Sequence, residues 1–342
     1  MTNPNRDIPV RAPAETSEDD TVLPFEIGAL ELRGRLVRLG PAVHEILSGH
    51  NYPPPVAKLV GEAVALTVLL GSALKLEGRF ILQTKTDGPV RMLVVDYRSP
   101  GAVRACARFD AGRVAEAMTA GIPPAGALLG RGHLAMTIDQ GADKSRYQGL
   151  VALEGGDLED AAHEYFKRSE QIPTQVRLAV GEELSAGDRR RWRAGGMLLQ
   201  FLPKDPARAR MADLDPGDAP EGTLPHVLPE DDAWVEGRSM IATVEDVELI
   251  DPSLSSERLV YRLFHERGVR VFRSVEVAAK CSCSRDGVET MLRNFSRDDR
   301  EHMVENGVIS VTCEFCSAHY RFAPGEVGIG PAGEPDATAP PS

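Results

Sequence analysis

Aromatic side chains are scarce in this chain of 342 residues: Phe, Trp and Tyr make up 5% of it, too few for a surface that stacks nucleobases. Basic residues are also in deficit, 39 Lys and Arg against 51 Asp and Glu. The resulting net charge of −12 opposes non-specific attachment to nucleic acid or to anionic membranes. Long apolar runs are missing as well. The most apolar stretch, "VAKLVGEAVALTVLLGSALKL" over 56–76, is interrupted by Lys58, Glu62 and Lys75, so no segment is expected to cross a bilayer. The start, "MTNPNRDIPVRAPAETSEDD", has no apolar core behind a basic head and does not read as a secretory leader. No glycine-rich phosphate loop joins a strand to a helix, which argues against an ATP-driven machine. A cytoplasmic location is expected, where thiols stay reduced. Cysteine is the last scarcity and the informative one: of five in the chain, four lie in two tight pairs near the C-terminus.

The pattern along the chain divides it. Residues 1–22 are polar and read as a disordered tail. Residues 23–204 mix strand and helix signals. "ELRGRLVRL" (31–39) alternates in part, "GHNYPPPVAKLVGEAVALTVLLGSAL" announces an all-round apolar core helix with prolines at its start, and "GRFILQTKTDGPVRMLVVDY" (78–97) is a hairpin turning at Asp87-Gly88. A helix capped by Asp157 would turn Leu158, Ala161, Ala162, Tyr165 and Phe166 inward, and "GGMLLQFLP" (195–203) closes the region as a strand. The fold class expected for this region is α+β.

Residues 205–268 form the linker, and 15 Asp and Glu against 6 Lys and Arg give it −9 of the total −12. Its first half is rich in Pro and Gly and reads as loop. Its second half ends in the helix "SERLVYRLFHERG", capped at Ser255 or Ser256, striped by Leu259, Val260, Leu263 and Phe264, and stopped by Gly268. An acidic segment with so modest a stripe is marginal alone and is expected to lean on the unit that follows, 269–325. There, "SRDGVETMLRNF" and "SRDDREHMVENG" are helix candidates capped by Ser284 and Ser296, and "VISVTCEFCSAHYRF" reads as a hairpin. Residues 326–342 are a second tail.

The thiols follow the pattern C-x-C, 29 intervening residues, C-x-x-C, namely Cys281, Cys283, Cys313 and Cys316. Two clustered pairs of soft donors suit one tetrahedral Zn²⁺ per chain in the reduced state. Four thiolates leave no position for water, so the metal is structural rather than catalytic. A unit of this size rarely stands on its core alone, and structural zinc contributes roughly 10–16 kcal/mol in small peptides. Oxidation converts one thiolate to a sulfenic acid that a nearby thiol resolves. Sequence proximity favours Cys281–Cys283 and Cys313–Cys316, which close loops too short to constrain the chain; a cross-link over the long interval would be worth about 3–4 kcal/mol in the chain-entropy model. The metal would leave, the small domain would loosen, and the acidic linker would follow.

With these cysteines and the flanking "SAHYRF", "HNYPPPV", "TDGPV", "RYQGLVALEGGDLEDAAHEYFKRSEQIPT", "AGGMLLQFLP" and "YRLFHERGVRVF", the chain from about Phe25 to Phe322 resembles the heat shock protein 33 family of redox-regulated holdase chaperones. The resemblance implies an α+β chain made of an N-terminal α/β domain, a helical linker packed on it and a small C-terminal zinc-binding domain. It also implies a reduced, zinc-bound form that is inactive. Oxidation would then release zinc, unfold the linker, form a homodimer and capture unfolding client proteins without ATP. Leu259, Val260, Leu263 and Phe264 are candidate client contacts. No enzymatic activity is expected.

Other features weigh less. Cys106, in "VRACARFD", would share a strand face with Arg104 and Arg108, which could lower its pKa. "RRRWR" (189–193) is the one basic-aromatic cluster, better read as a solvated hairpin loop than as a grip on nucleic acid. His265, His302 and His319 read as surface or packing residues beside four available thiols. The alternatives to a holdase are a zinc-module regulator that binds nucleic acid, opposed by the acidic charge, and a disulfide reductase. The latter would need its C-x-x-C at a helix N-terminus, whereas this one follows a strand.

Overall fold

The computed structural model describes residues 19–74, 78–119, 121–141, 146–185, 189–205, 208 and 230–329. In chain order the elements are β1 (Thr21–Ile27), β2 (Leu32–Leu39), α1 (Pro41–Ser48), α2 (Pro54–Gly71), β3 (Arg79–Thr86), β4 (Val90–Arg98) and β5 (Ala102–Phe109). Then come α3 (Ala111–Met118), α4 (Ala125–Leu129), β6 (Arg131–Asp139), β7 (Tyr147–Glu154), α5 (Leu158–Tyr165), β8 (Thr174–Ser185) and β9 (Arg189–Phe201). The linker supplies α6 (Asp232–Ala242), α7 (Asp246–Ile250) and α8 (Ser256–Phe264), followed by the short strands β10 (Arg270–Val271), β11 (Val275–Glu276) and β12 (Ala278–Ala279). The C-terminal unit has α9 (Arg285–Arg293), α10 (Arg297–His302), β13 (Ile309–Thr312) and β14 (His319–Phe322).

Two sheets enclose α2. The first runs β10-β1-β2-β9-β8, with β11 also on β1; the second runs β12-β5-β4-β3-β6-β7. Every apolar side chain of α2 from Pro55 onward is buried, because the helix lies between Val37, Val176 and Leu198 of the first sheet and Leu82, Leu93 and Val103 of the second. That sandwiching explains an apolar composition all round the helix. It is the one described helix long and apolar enough to cross a membrane, and 83% of it is buried in the protein.

Glu62 is the exception on α2. Burial pushes its carboxyl up to about 7, against the pull of Lys58 and with help from Asp157, Glu159 and Asp246. The neutral acid is therefore the form that favours the fold. Its contribution is complete below about pH 4.5 and is lost as pH rises through about 7. Glu62→Gln is expected to raise stability at pH 8 by about 1–3 kcal/mol and to leave it nearly unchanged at pH 4, measured by urea unfolding at both pH values.

The linker does not lean on the unit that follows it. It covers the outer face of the first sheet, as the family resemblance implied and the composition argument did not. Trp234, Ile241, Val244, Leu249, Leu259, Val260 and Phe264 pack with Phe25, Leu32, Leu36, Met197, Leu199 and Phe201 in one cluster. Phe264 lies against Phe25 at 5.8 Å between ring centres. Three arginines from the sheet hold α7. Arg38 donates to the carbonyls of Glu248 and Asp251, both at 2.6 Å, Arg193 to that of Ile250 at 2.6 Å, and Arg177 to the Asp246 carboxylate at 3.0 Å. Arg38 and Arg193 are almost fully buried, and both donate to a helix end whose last carbonyls have no other partner in the helix.

Several boundaries move. β1 begins at Thr21, inside the span read as a tail, and Asp20 accepts hydrogen bonds from the Gly40 and Ala42 amides. "RRRWR" is not a loop: it lies in β9 opposite Gly181–Ser185, and its Arg193 also pairs with Asp19. At the other end, Val327 is fully buried in the C-terminal unit, so that unit extends past 325. Most of the Pro/Gly-rich stretch of the linker and most of both tails fall outside the described residues.

Candidate metal centre

A two-residue strand leads into the first thiol pair. β12 runs parallel to β5, with Ala278 beside Ala102, and the Lys280 amide donates to the Val103 carbonyl at 2.9 Å. Cys281 and Cys283 follow at once, and Ser284 then caps α9 by accepting from the Gly287 amide. The second pair sits where the β13–β14 hairpin turns. The Cys313 amide donates to Ala318, the Ser317 amide to Cys313, both at 2.9 Å, and Ser317 adopts a left-handed φ of 57°. Both turns therefore present their sulfurs on the same side.

The four Sγ atoms lie within 4.8 Å of one another. Cys281 and Cys313 stand 3.7 Å apart, Cys283 and Cys316 3.3 Å, whereas sulfurs around a tetrahedral Zn²⁺ at about 2.3 Å would be roughly 3.8 Å apart. The sulfurs are thus already near metal-bound spacing. Their electrostatics favour a cation too. Burial opposes ionisation of Cys281, but the Cys283 amide, Arg104 and neighbouring thiols bring it down to about 7. Burial and the other three sulfurs push Cys316 up to about 12, and burial with Cys281 raises Cys313 above its ordinary value against the pull of neighbouring amides and Cys316. Four thiols this close cannot all ionise unless a positive ion shares them, and a dication of zinc's size and softness is the natural counter-charge. Tyr320 adds a hydroxyl that donates to Cys283 Sγ at 3.2 Å. Among the described residues no other His, Cys, Asp or Glu joins the cluster. His319 hydrogen-bonds with Thr312, and His302 and His265 bond to backbone carbonyls of their own helices.

The core of this unit is small. Leu292, Ile309, Phe322 and Val327 are its fully buried apolar residues, with Val288, Met303, Val311 and Tyr320 partly buried around them. Its path back to the linker crosses both sheet edges. Val277 donates to the Asp20 carbonyl at 2.7 Å, β11 pairs with β1 at Val22↔Val275, and β10 pairs with β1 at Phe25↔Val271.

The candidate client residues Leu259, Val260 and Phe264 are fully buried and Leu263 is partly so, all in the cluster beneath the linker. Cys106 does share a strand face with Arg104 and Arg108, but the effect expected from them is overridden. It is 4% exposed, and burial pushes its thiol up to about 11. The sequence reading did not find the partners of those arginines in the C-terminal unit: Arg104 reaches Cys281 and Phe315, and Arg108 pairs with Glu314. Strand alternation was the available signal, since it places 104, 106 and 108 away from the core, but it names no partner.

Comparison with known proteins places this arrangement. The family model described as Hsp33 protein matches residues 20–323. The chain belongs to the Hsp33 family. The 33 kDa chaperonin of Caulobacter vibrioides is 45% identical over 309 residues, covering 90% of this chain and 95% of that protein. The 33 kDa chaperonin of Nitrosococcus oceani is 34% identical over 307 residues, covering 89% of this chain and 91% of its own length. The crystal structure of the Hsp33 homolog from Thermotoga maritima superimposes with a TM-score of 0.69 over 90% of this chain and 96% of that one; at 19% identity it speaks for the fold. Membership of Hsp33 makes this chain a chaperone, and the four clustered cysteines suit redox control of it.

Proposed function

We propose that this chain is an ATP-independent holdase of the cytoplasm, held off while Cys281, Cys283, Cys313 and Cys316 bind one Zn²⁺ and switched on by oxidation. The observation that carries the reading is the placement of the quartet. Its sulfurs come from both ends of a unit with four fully buried apolar residues, and short strand pairs connect that unit to β1, in the sheet whose outer face the linker covers. Removing the metal takes away the strongest tie in the unit, and the strain passes through β12, β11 and β10 to α8. The chain then divides by role: residues 23–204 as the chaperone domain, 205–268 as the labile linker and 269–325, with Val327, as the switch.

Oxidation is balanced by a peroxide. One thiolate of a pair attacks it and becomes a sulfenic acid, and the second thiolate displaces hydroxide, so two electrons pass from each pair of sulfurs to the peroxide. In the folded cluster all four sulfurs lie within 4.8 Å of one another, with Cys281 and Cys313 3.7 Å apart and Cys283 and Cys316 3.3 Å, so geometry alone does not select the pairing. Bonds within Cys281–Cys283 and within Cys313–Cys316 follow if the unit opens before the second sulfur reacts, because only sequence neighbours then stay together. Release of the linker would uncover Leu259, Val260, Leu263 and Phe264 together with the sheet face beneath them, an apolar surface suited to unfolding clients and to a second copy of the chain. "RRRWR" lends little to a nucleic-acid reading, since its Arg193 is buried on Asp19 and the linker.

The test is suppression of aggregation of a heat-unfolded protein by this chain, reduced and after peroxide with mild heat, with bound zinc counted in both samples. Suppression only after oxidation, with zinc falling from one per chain to none, is expected. Equal suppression by the reduced protein, or metal retained by the active form, would falsify the reading.

A further inference from the structure

The C-terminal unit also grips the N-terminal domain directly, on the outer face of the second sheet and away from the linker. Arg104 of β5 is central to that contact. Its side chain is 18% exposed, and its Nε and Nη2 donate to Asp96 Oδ2 at 2.9 and 2.8 Å. Its Nη1 stands 3.7 Å from Cys281 Sγ, and its guanidinium lies over the Phe315 ring at 4.2 Å. Arg108 pairs with Glu314. His50 donates from Nε2 to the Phe315 carbonyl at 3.0 Å, and its Nδ1 is 3.4 Å from the Ser317 hydroxyl. The turn between Cys313 and Cys316 thus sits in a socket of the N-terminal domain. One guanidinium in that socket touches the first thiol pair and the turn of the second at once.

We propose that Arg104 is a positioning residue that ties the charge of the thiolate centre to the N-terminal domain, so that loss of that charge on oxidation undocks the C-terminal unit directly as well as through the linker. The proposal rests on the redox reading above. Four thiolates around a dication keep a net negative charge, and Arg104 shares its own positive charge between Cys281 and Asp96. Closing the Cys281–Cys283 disulfide passes two electrons from two thiolates to a peroxide, which leaves as hydroxide, and both sulfurs become neutral. Arg104 keeps Asp96, which Arg79 also holds at 2.6 and 3.0 Å, and loses its charged partner across the seam. The ring of Phe315 and the Glu314 pair remain. The latter is exposed on both sides and contributes little. Losing a charge-assisted hydrogen bond at a half-buried site shifts a docking equilibrium by about tenfold or more.

Cys106 reports this seam. It lies between Arg104 and Arg108 on the same face, is 4% exposed, and feels the charges of Glu314 and Cys313. The experiment is site-resolved alkylation of Cys106, read by mass spectrometry on the full chain, with zinc content and linker proteolysis measured on the same samples. In the reduced, zinc-loaded state R104M should label at Cys106 about tenfold faster than wild type with zinc retained, and R104K, which keeps the charge, should stay near wild type. Oxidation should expose Cys106 in wild type and add little in R104M. Protection in R104M equal to wild type, or R104K as open as R104M, overturns the proposal. So does a wild-type Cys106 that is as protected after both disulfides form as before, a comparison that needs no variant to fold. Absence of zinc from reduced wild type overturns the redox reading and this proposal with it; zinc present with unaltered protection overturns this proposal alone.

Discussion

Replacing Cys313 by serine is expected to empty the metal centre and unfold the C-terminal unit without any oxidant. Structural zinc contributes roughly 10–16 kcal/mol in small peptides, whereas an entire domain is typically stable by about 5–15 kcal/mol. Here the metal would act on a unit whose fully buried apolar residues are Leu292, Ile309, Phe322 and Val327. A hydroxyl is a poor substitute for a thiolate on zinc, and the three remaining sulfurs would crowd without their counter-charge. Hydrogen exchange should therefore show protection lost in α9, the β13–β14 hairpin and β12. Zinc per chain should fall from one toward none, and aggregation of a heat-unfolded client should be suppressed in the absence of peroxide. Full protection of the hairpin in a zinc-free Cys313→Ser protein would mean that this unit folds on its own, and the metal could not then be what holds the switch shut.

Legibility in the sequence followed the range of the interaction. Local signals were clear: the hairpin turning at Asp87-Gly88 appears as β3 and β4, Ser255 caps α8 by accepting from Arg258, and the spacing of four cysteines returns as four sulfurs within 4.8 Å. What a face packs against was not legible. The stripe of Leu259, Val260, Leu263 and Phe264 says that one side of α8 is buried, yet nothing in those residues distinguishes the sheet that precedes them from the unit that follows. Only the resemblance to a family pointed to the sheet. Buried charge was the other blind spot. Arg38 stands in a stretch read only as partly alternating and Arg193 in one read as a solvated loop, and both are buried where the free carbonyls of α7, more than 50 residues later in the chain, accept from them. Cys106 failed for the same reason: neighbouring arginines were visible in the sequence, whereas its burial and its closeness to Glu314 and Cys313 depend on residues distant in the chain.

Gly195→Val is expected to release the linker while leaving the metal centre intact. Gly195 lies in β9 directly beneath α7, where a Cβ would stand 2.2 Å from the Leu249 carbonyl oxygen and 3.0 Å from the Leu249 Cβ. Valine suits a strand, so the obstruction lies in the helix above it, and α7 must rise. Lifting α7 withdraws the Glu248, Ile250 and Asp251 carbonyls from Arg38 and Arg193; Arg193 keeps Asp19 and Glu183, but each hydrogen bond lost from a buried charged group costs about 1.5–3 kcal/mol. Opening α6, α7 and α8 into water exposes these arginines and relieves the cost, so the linker rather than the sheet should give way. Protease cuts should appear within 230–268 in the reduced protein, with one zinc still bound per chain. A Gly28→Ala control, whose Cβ meets nothing within 4 Å, should behave as wild type. Chaperone activity of reduced, zinc-loaded Gly195→Val would show that freeing the linker is sufficient and that the thiols act by controlling it. A linker as protected as in wild type would sink the clamp. Cuts without activity would place the decisive surface elsewhere, on the face that the C-terminal unit covers around Arg104.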